Sequence, residues 1–397
     1  MRRGGRFIYA LDVSNPLAPK FLWKRSHIDL GFTELGQSWS DMRVAKLRYQ
    51  TNPVLIFGLG YDAPANDPTI QGIATMGRGV MVLDATTGNP IWQAGTSPGG
   101  ATYNKIVAGM TYAMPATVAL YDSDGDGNID RIYTVDTGGN VWRINVDDAN
   151  PANWTVNQLA SLGGTGANAR KFLYQPDIIP ADTSNNFDSL LLGSGDREHP
   201  FDTAITNRYY MIKDNHGLSA TQLSPIIEGT PGSTSGAAGQ LYDATSNLLQ
   251  VGTTAQVAAA KTALGNASGW YVILGTGEKV VGGATTLAGT VFFGTNVPTP
   301  VAVNACVGNL GQARLYALSY LNGSATIDEN KTGTLTTVDR YFTRAGGGYP
   351  PTPVAISVVI NGKTYQGAIS GTQVLTSPGP ALGRRYRTFW QQLIDKN

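Results

Sequence analysis

Apolar residues in this chain come in short runs, each closed by glycine, aspartate or proline. Val54-Leu55-Ile56-Phe57-Gly58-Leu59-Gly60, Leu190-Leu191-Leu192-Gly193-Ser194-Gly195 and Thr290-Val291-Phe292-Phe293-Gly294-Thr295 show no polar alternation. Runs of this kind are strands buried on both faces. A second kind of run ends in an acidic or glycine turn and returns through an aromatic residue. Phe7-Ile8-Tyr9-Ala10-Leu11-Asp12 leads to Trp23, Val80-Met81-Val82-Leu83-Asp84 to Trp92, and Ile132-Tyr133-Thr134-Val135-Asp136 to Trp142. The stretches 208–214 and 314–323 are weaker copies. Each copy predicts a hairpin whose aspartate accepts turn amides, whose glycine takes positive φ, and whose tryptophan packs back on the sheet.

One such hairpin with its buried strand makes a unit of about four strands, the blade of a β-propeller. The fold class expected is therefore all-β: a modified propeller of about six to seven blades of four antiparallel strands, with insertions and a short helix. The anchors Asp12, Asp84 and Asp136 stand 72 and 52 residues apart (84 − 12 and 136 − 84). Propeller repeats run to ~40–50 residues, so these blades must carry insertions. The whole of 1–397 reads as one domain. Segment 217–268, rich in Ser, Thr, Gly and Ala, reads as an insertion on one face of the ring. Within it, 253–265 predicts a helix with Thr253 as N-cap and Gly265 as stop. The first hairpin lacks two preceding strands. The runs 354–360 and 364–369 are expected to complete that blade, so that 353–380 closes the ring; an open ring would leave bare strand edges.

The chemistry concentrates in Asp122-Ser123-Asp124-Gly125-Asp126-Gly127-Asn128-Ile129-Asp130. Like charges this close repel unless a hard cation sits among them. Calcium takes six to eight oxygens, and a loop with ligands at alternate positions supplies most of them. Asp122, Asp124, Asp126 and Asp130 would give carboxylate oxygens, and Asn128 its backbone carbonyl. Gly125 and Gly127 let the chain curl back. Position 12 is Tyr133 rather than Glu, and the flanks read as strands, so the loop is not an EF-hand. The bland reading is a solvated acidic turn.

Composition narrows the partners. Charged residues make up 14% and hydrophobic ones 42%, which suits a folded chain. The net charge is +1 with no basic run, so nucleic acid is not expected. No apolar run approaches the ~20 residues of a membrane span. The N-terminus leads straight into a strand without a secretory core, so the chain is cytosolic or a piece of something longer. Cys306 is the single cysteine, which excludes an intrachain disulfide. His27, His199 and His216 stand far apart, and no catalytic constellation is legible.

The loop and the strand after it, Asp122 through Asp136-Thr137-Gly138-Gly139-Asn140-Val141-Trp142-Arg143, resemble the signature of the PilY-type tip-associated proteins of bacterial type IV pili. So do Ser38-Trp39-Ser40 with the run to Asp62, Gly193-Ser194-Gly195-Asp196-Arg197, Gly269-Trp270-Tyr271 with Gly277-Glu278-Lys279-Val280-Val281, and Arg387-Thr388-Phe389-Trp390-Gln391-Gln392-Leu393. The resemblance runs from Gly5 to about Leu393. It implies a calcium-binding, non-enzymatic C-terminal propeller of a larger secreted protein, with Asp122, Asp124, Asp126, Asn128 and Asp130 as metal ligands. That protein would serve pilus biogenesis, extension against retraction, adhesion and twitching motility. Its partners would be minor pilins at the pilus tip, its own N-terminal region and a host or surface receptor. It would work at the cell surface, periplasm and outer membrane of a Gram-negative bacterium. The long N-terminal region and signal peptide of the family are not read in this sequence, so the chain is expected to be part of a longer protein, with adhesion specificity elsewhere.

Two other readings fit parts of the sequence. Val82-Leu83-Asp84-Ala85-Thr86-Thr87-Gly88-Asn89-Pro90-Ile91-Trp92 resembles the blade motif of quinone-dependent (PQQ-like) propeller dehydrogenases, but the metal loop here is self-sufficient and lies within a hairpin. A lectin-like or protein-binding propeller unrelated to pili could use some of the 18 Tyr and 7 Trp. Trp23, Trp92 and Trp142, however, sit where blade packing explains them.

Overall fold

The apolar runs form the inner strands of a series of sheets. The computed structural model describes residues 5–48, 50–182, 185–215, 224–230, 236–299, 309–360, 363–371 and 373–376. Cys306, His216 and the 387–393 motif lie outside the described residues, as does most of 372–380. Among the described residues the strands form six sheets. The first pairs β1 (Phe7–Asp12) with β2 (Lys20–Ser26). The second holds β3 (Arg43–Ala45), β4 (Val54–Gly58), β5 (Val80–Asp84), β6 (Pro90–Gly95) and β7 (Tyr103–Ile106), the last parallel to β6. The third is an antiparallel meander of β8 (Ala119–Tyr121), β9 (Arg131–Val135), β10 (Asn140–Asn145) and β11 (Thr155–Ser161). The fourth contains β12 (Asp177–Ile179), β13 (Phe187–Gly193), β14 (Arg208–Asn215), β15 (Tyr242–Asp243) and β16 (Gly269–Ile273), in the order β12-β13-β14-β16-β15. The fifth runs through β17 (Lys279–Leu287), β18 (Thr290–Val297), β19 (Gln312–Ser319) and β20 (Tyr341–Arg344). The sixth joins β21 (Val354–Ile360), β22 (Lys363–Ser370) and β23 (Gln373–Thr376).

Each sheet packs on the next one in sequence. Ile8 and Trp23 of the first meet Phe57 and Leu83 of the second. Val82 and Trp92 meet Ile144 of the third. Tyr133 and Val141 meet Leu190 and Tyr210 of the fourth. Met211 and Trp270 meet Val291 and Phe293 of the fifth, and Phe292 and Leu315 meet Ala368 and Leu375 of the sixth. The apolar runs in β4, β13 and β18 are buried on both faces as expected, because both faces touch a neighbouring sheet. The leading segments of sheets two to six share one cavity of about 620 Å³, lined by Arg43, Thr117, Gln175, Gly282 and Thr352 among others. The arrangement is mostly β and propeller-like.

Two expectations need correction in their strand pairing. The sheets are not uniformly four-stranded: they hold two to five strands, and β6–β7 and β15–β16 pair in parallel. The runs at 354–360 and 364–369 do not pair with β1. They pair with each other and with β23, while β1 pairs with β2 among the described strands. The sequence pattern marks a strand but does not choose its neighbour, and β23 takes the edge of β22 that β1 was expected to use. Segment 217–268 separates the paired strands β14 and β16. Its described part adds edge strand β15 and two helices beyond the short α1 (Ala63–Asn66), namely α2 (Leu248–Val251) and α3 (Thr254–Asn266). Thr253 caps α3 in a capping box with Gln256, as expected. The helix continues through Gly265 and buries Ala260 and Ala263 against the fourth sheet's core, so packing outweighs the glycine's weak propensity. No helix of the described residues is long and apolar enough to cross a membrane.

The hairpin aspartates do what the repeat predicts. Asp12 accepts from the amide of Ser14, Asp84 from those of Thr86 and Thr87, and Asp136 from those of Gly138 and Asn140. Asp136 also takes the indole N–H of Trp142 at 2.9 Å; burial nevertheless pushes its carboxyl up to about 6. Gly88 (φ +68°) is required twice, since a Cβ there would also lie 2.5 Å from the Trp23 ring.

A second set of contacts ties strands together and was not legible beforehand. Buried or half-buried carboxylates each take an arginine and a tyrosine. Asp214 on β14 receives Arg143 Nη1 at 2.8 Å and the Tyr133 hydroxyl at 2.5 Å, both from the third sheet. Asp188 on β13 likewise receives Arg131 and Tyr121. Glu278 receives Arg314 and Tyr316, and Glu228 receives Arg170, Arg208 and Tyr210.

Two losses of stability are expected. Trp142→Ala should cost about 3–5 kcal/mol in denaturant unfolding, the range for buried tryptophan; an unchanged midpoint would contradict its place in the core. Arg143→Met should cost a similar ~3–5 kcal/mol, because Asp214 is left buried without its cation. A neutral result would show that Tyr133 and water satisfy Asp214 alone.

Candidate metal centre

The acidic loop bridges β8 and β9 at the edge of the third sheet. The antiparallel pairing of Tyr121 with Arg131 brings its two ends together, and the amide of Asp130 donates to the Tyr121 carbonyl. Between them the chain must reverse twice. Gly125 (φ +77°) and Gly127 (φ +88°) make the reversals, with open space around the positions a Cβ would take. Their role is therefore conformational rather than steric.

The reversals fold the carboxylates inward. Asp122 accepts from the amides of Gly125 (2.7 Å) and Gly127 (2.8 Å). Asp130 Oδ2 accepts from the amide and hydroxyl of Ser123, both at 2.7 Å. Asp122, Asp124 and Asp130 each offer a carboxylate oxygen, and the three oxygens lie within 4.8 Å of one another. Asp130 is 5% exposed, and its second oxygen, Oδ1, is buried without a hydrogen-bond partner. A buried carboxylate oxygen with no donor, beside two further carboxylates, is a strongly unfavourable arrangement until a cation joins it. Hard oxygens are the donor type that calcium takes. The residues present therefore fit the ion.

Asp126 and Asn128 are placed differently. Asp126 Oδ1 accepts from the Asn128 amide at 2.7 Å and Oδ2 from its side chain at 3.0 Å, and these bonds hold the Asp126 carboxyl below its ordinary range. Asp126 is thus beside the cluster of three acids rather than in it, and the Asn128 side chain is spent on Asp126. The structure also adds two residues that the sequence did not suggest. Arg48 Nη2 reaches Asp124 Oδ2 at 2.7 Å and Asp126 Oδ2 at 2.8 Å, which raises the arginine's pKa further. Arg48 Nη1 lies 3.3 Å from Asp147 Oδ1, and partial burial raises the Asp147 carboxyl. Arg48 comes from the connection between β3 and β4, 76 residues before Asp124, so no local spacing could reveal it.

A second loop shows what sets this one apart. Asp328 accepts from the amide of Gly333 at 2.8 Å, as Asp122 does from Gly127. Both carboxylate oxygens of the downstream Asp339, however, are taken by Asn330 and Thr336. Among the described residues, only the Asp122 loop gathers three acidic side chains.

No protein-family model matches the chain. A sequence from Xylella fastidiosa, described as a type IV pilus biogenesis factor PilY1 homolog, is 24% identical over 355 residues. That match covers 82% of this chain but 22% of the relative, so the chain spans about a fifth of that protein's length. The crystal structure of the Pseudomonas aeruginosa PilY1 C-terminal domain superposes with a TM-score of 0.63 at 19% identity, covering 95% of this chain and 79% of that one. A quinohemoprotein alcohol dehydrogenase from Comamonas testosteroni aligns over 85% of the chain with a TM-score of 0.38, too loose to carry an argument. In sequence over most of its length, and in fold over nearly all of it, the chain resembles a PilY-type protein's C-terminal domain.

Proposed function

We propose that this chain is a calcium-binding, non-enzymatic module of a PilY-type protein that acts in type IV pilus biogenesis. The observation that carries the calcium part is the buried, unpartnered Asp130 Oδ1 beside Asp122 and Asp124. The similarity to a pilus biogenesis factor over 82% of the chain supports the pilus part. In this reading Asp122, Asp124, Asp126 and Asp130 supply carboxylate oxygens, and Asn128 supplies its carbonyl. Calcium in the loop offsets the mutual repulsion of four carboxylates: the set carries −4 without the ion and −2 with it. Filling therefore tightens the β8–β9 connection, and emptying loosens it, which is the form a calcium-dependent switch between pilus extension and retraction would take. The minor pilins of the pilus tip, the rest of the longer protein and a surface receptor are the partners this reading names. The site of action is the cell surface and outer membrane of a Gram-negative bacterium.

Asp124→Ala or Asp126→Ala is expected to abolish calcium binding in a calorimetric titration and to leave the circular dichroism of the domain unchanged. A wild-type isotherm from either variant would overturn the ligand set. The same substitutions in the full-length protein of the native bacterium should reduce surface piliation and twitching; normal piliation and twitching with calcium binding lost would separate the loop from pilus function.

A further inference from the structure

Arg48 is a cation already seated on the acidic loop. Its Nη2 donates to Asp124 Oδ2 at 2.7 Å and Asp126 Oδ2 at 2.8 Å. The seat is not a chance reach from a loose surface. Leu47, the residue before it, is buried in the core between the second and third sheets. The amide of Ile129, inside the acidic loop, donates to the Lys46 carbonyl at 2.9 Å. Backbone on both sides of the contact is thus fixed, and the guanidinium is held toward the loop. A planar guanidinium aimed in this way is suited to bridging two carboxylates.

Asp124 and Asp126 are also two of the proposed calcium ligands. A dication and a guanidinium on the same carboxylates repel each other, so the two bind at each other's expense. We propose that Arg48 is a tethered competitor of calcium: it holds Asp124 and Asp126 when the ion is away and gives them up when the ion binds. This inference rests on the calcium reading above. Asp147 is the landing place for the released guanidinium, since its Oδ1 is already 3.3 Å from Nη1. Arg48 then does two things. It lowers calcium affinity, and it couples the filling of the loop on the third sheet to the connection between β3 and β4 on the second.

The test is calcium titration by calorimetry, together with the melting temperature in chelator and in saturating calcium, for the wild-type chain, Arg48→Gln and Arg48→Lys. Exposed ion pairs are individually weak, so the expected change is moderate: Arg48→Gln should bind calcium about three- to tenfold more tightly. It should also melt lower than wild type in chelator, where four carboxylates lose their counter-ion, and close to wild type in calcium. Arg48→Lys keeps the charge but loses the two-pronged bridge and should fall between the two. Equal affinities and equal calcium-induced shifts in all three chains would overturn the inference, as would weaker binding by Arg48→Gln, which would make Arg48 a support of the loop. Absence of binding by the wild-type chain would instead overturn the calcium reading and the inference with it.

Discussion

A carboxylate removed from water must be answered by donors or by a cation, and the junctions of this domain are organised around that requirement. Asp188 and Asp214 on the fourth sheet are answered by arginines and tyrosines of the third. These contacts fix how one sheet sits on the next, which apolar packing alone leaves loosely specified. Hydrophobic surface is non-directional, whereas a buried guanidinium–carboxylate pair with a tyrosine hydroxyl fits in one register only. The acidic loop follows the same requirement and reaches a different solution. Its amides and Ser123 satisfy part of the charge, Arg48 answers Asp124 and Asp126, and Asp130 Oδ1 is buried without a hydrogen-bond partner, the place the proposed calcium would take.

That division lets one folding element also serve as the candidate site. The loop closes the β8–β9 hairpin, and its ends are anchored by the sheet ladder. It is also tied to the β3–β4 connection, Ile129 through Lys46 and Asp124 and Asp126 through Arg48. In the proposed reading, calcium in the loop would therefore act across a junction between sheets, although the loop itself is exposed. This is local chemistry acting on a packed interface, with no need for a long-range pathway.

Much of this was legible in the sequence because it is written in local patterns. Apolar runs such as Leu190–Leu192 marked doubly buried strands. Asp84 and Asp136 followed by glycine marked hairpin turns, and alternating aspartates with glycines marked the turn that gathers Asp122, Asp124 and Asp130. What escaped depends on which strands become neighbours. The Arg143–Asp214 pair spans 71 residues and Arg48–Asp124 spans 76, so neither has a local signature. The expected pairing of 364–369 with the first hairpin differs from the structure for the same reason: a strand pattern is compatible with several edges, and only the assembled sheet selects one. The placement of Asp126 was also out of reach, because the spacing suits it to the ion while the folded loop turns it toward Asn128 and Arg48.

The most direct measurement is a crystal structure of the chain grown with calcium, using anomalous scattering to identify the ion. The account predicts one calcium at the β8–β9 loop, with Asp130 Oδ1 at roughly 2.3–2.6 Å among six to eight oxygens that include Asp122 and Asp124. A loop without an ion at saturating calcium, or an ion bound without Asp130 Oδ1, would contradict it.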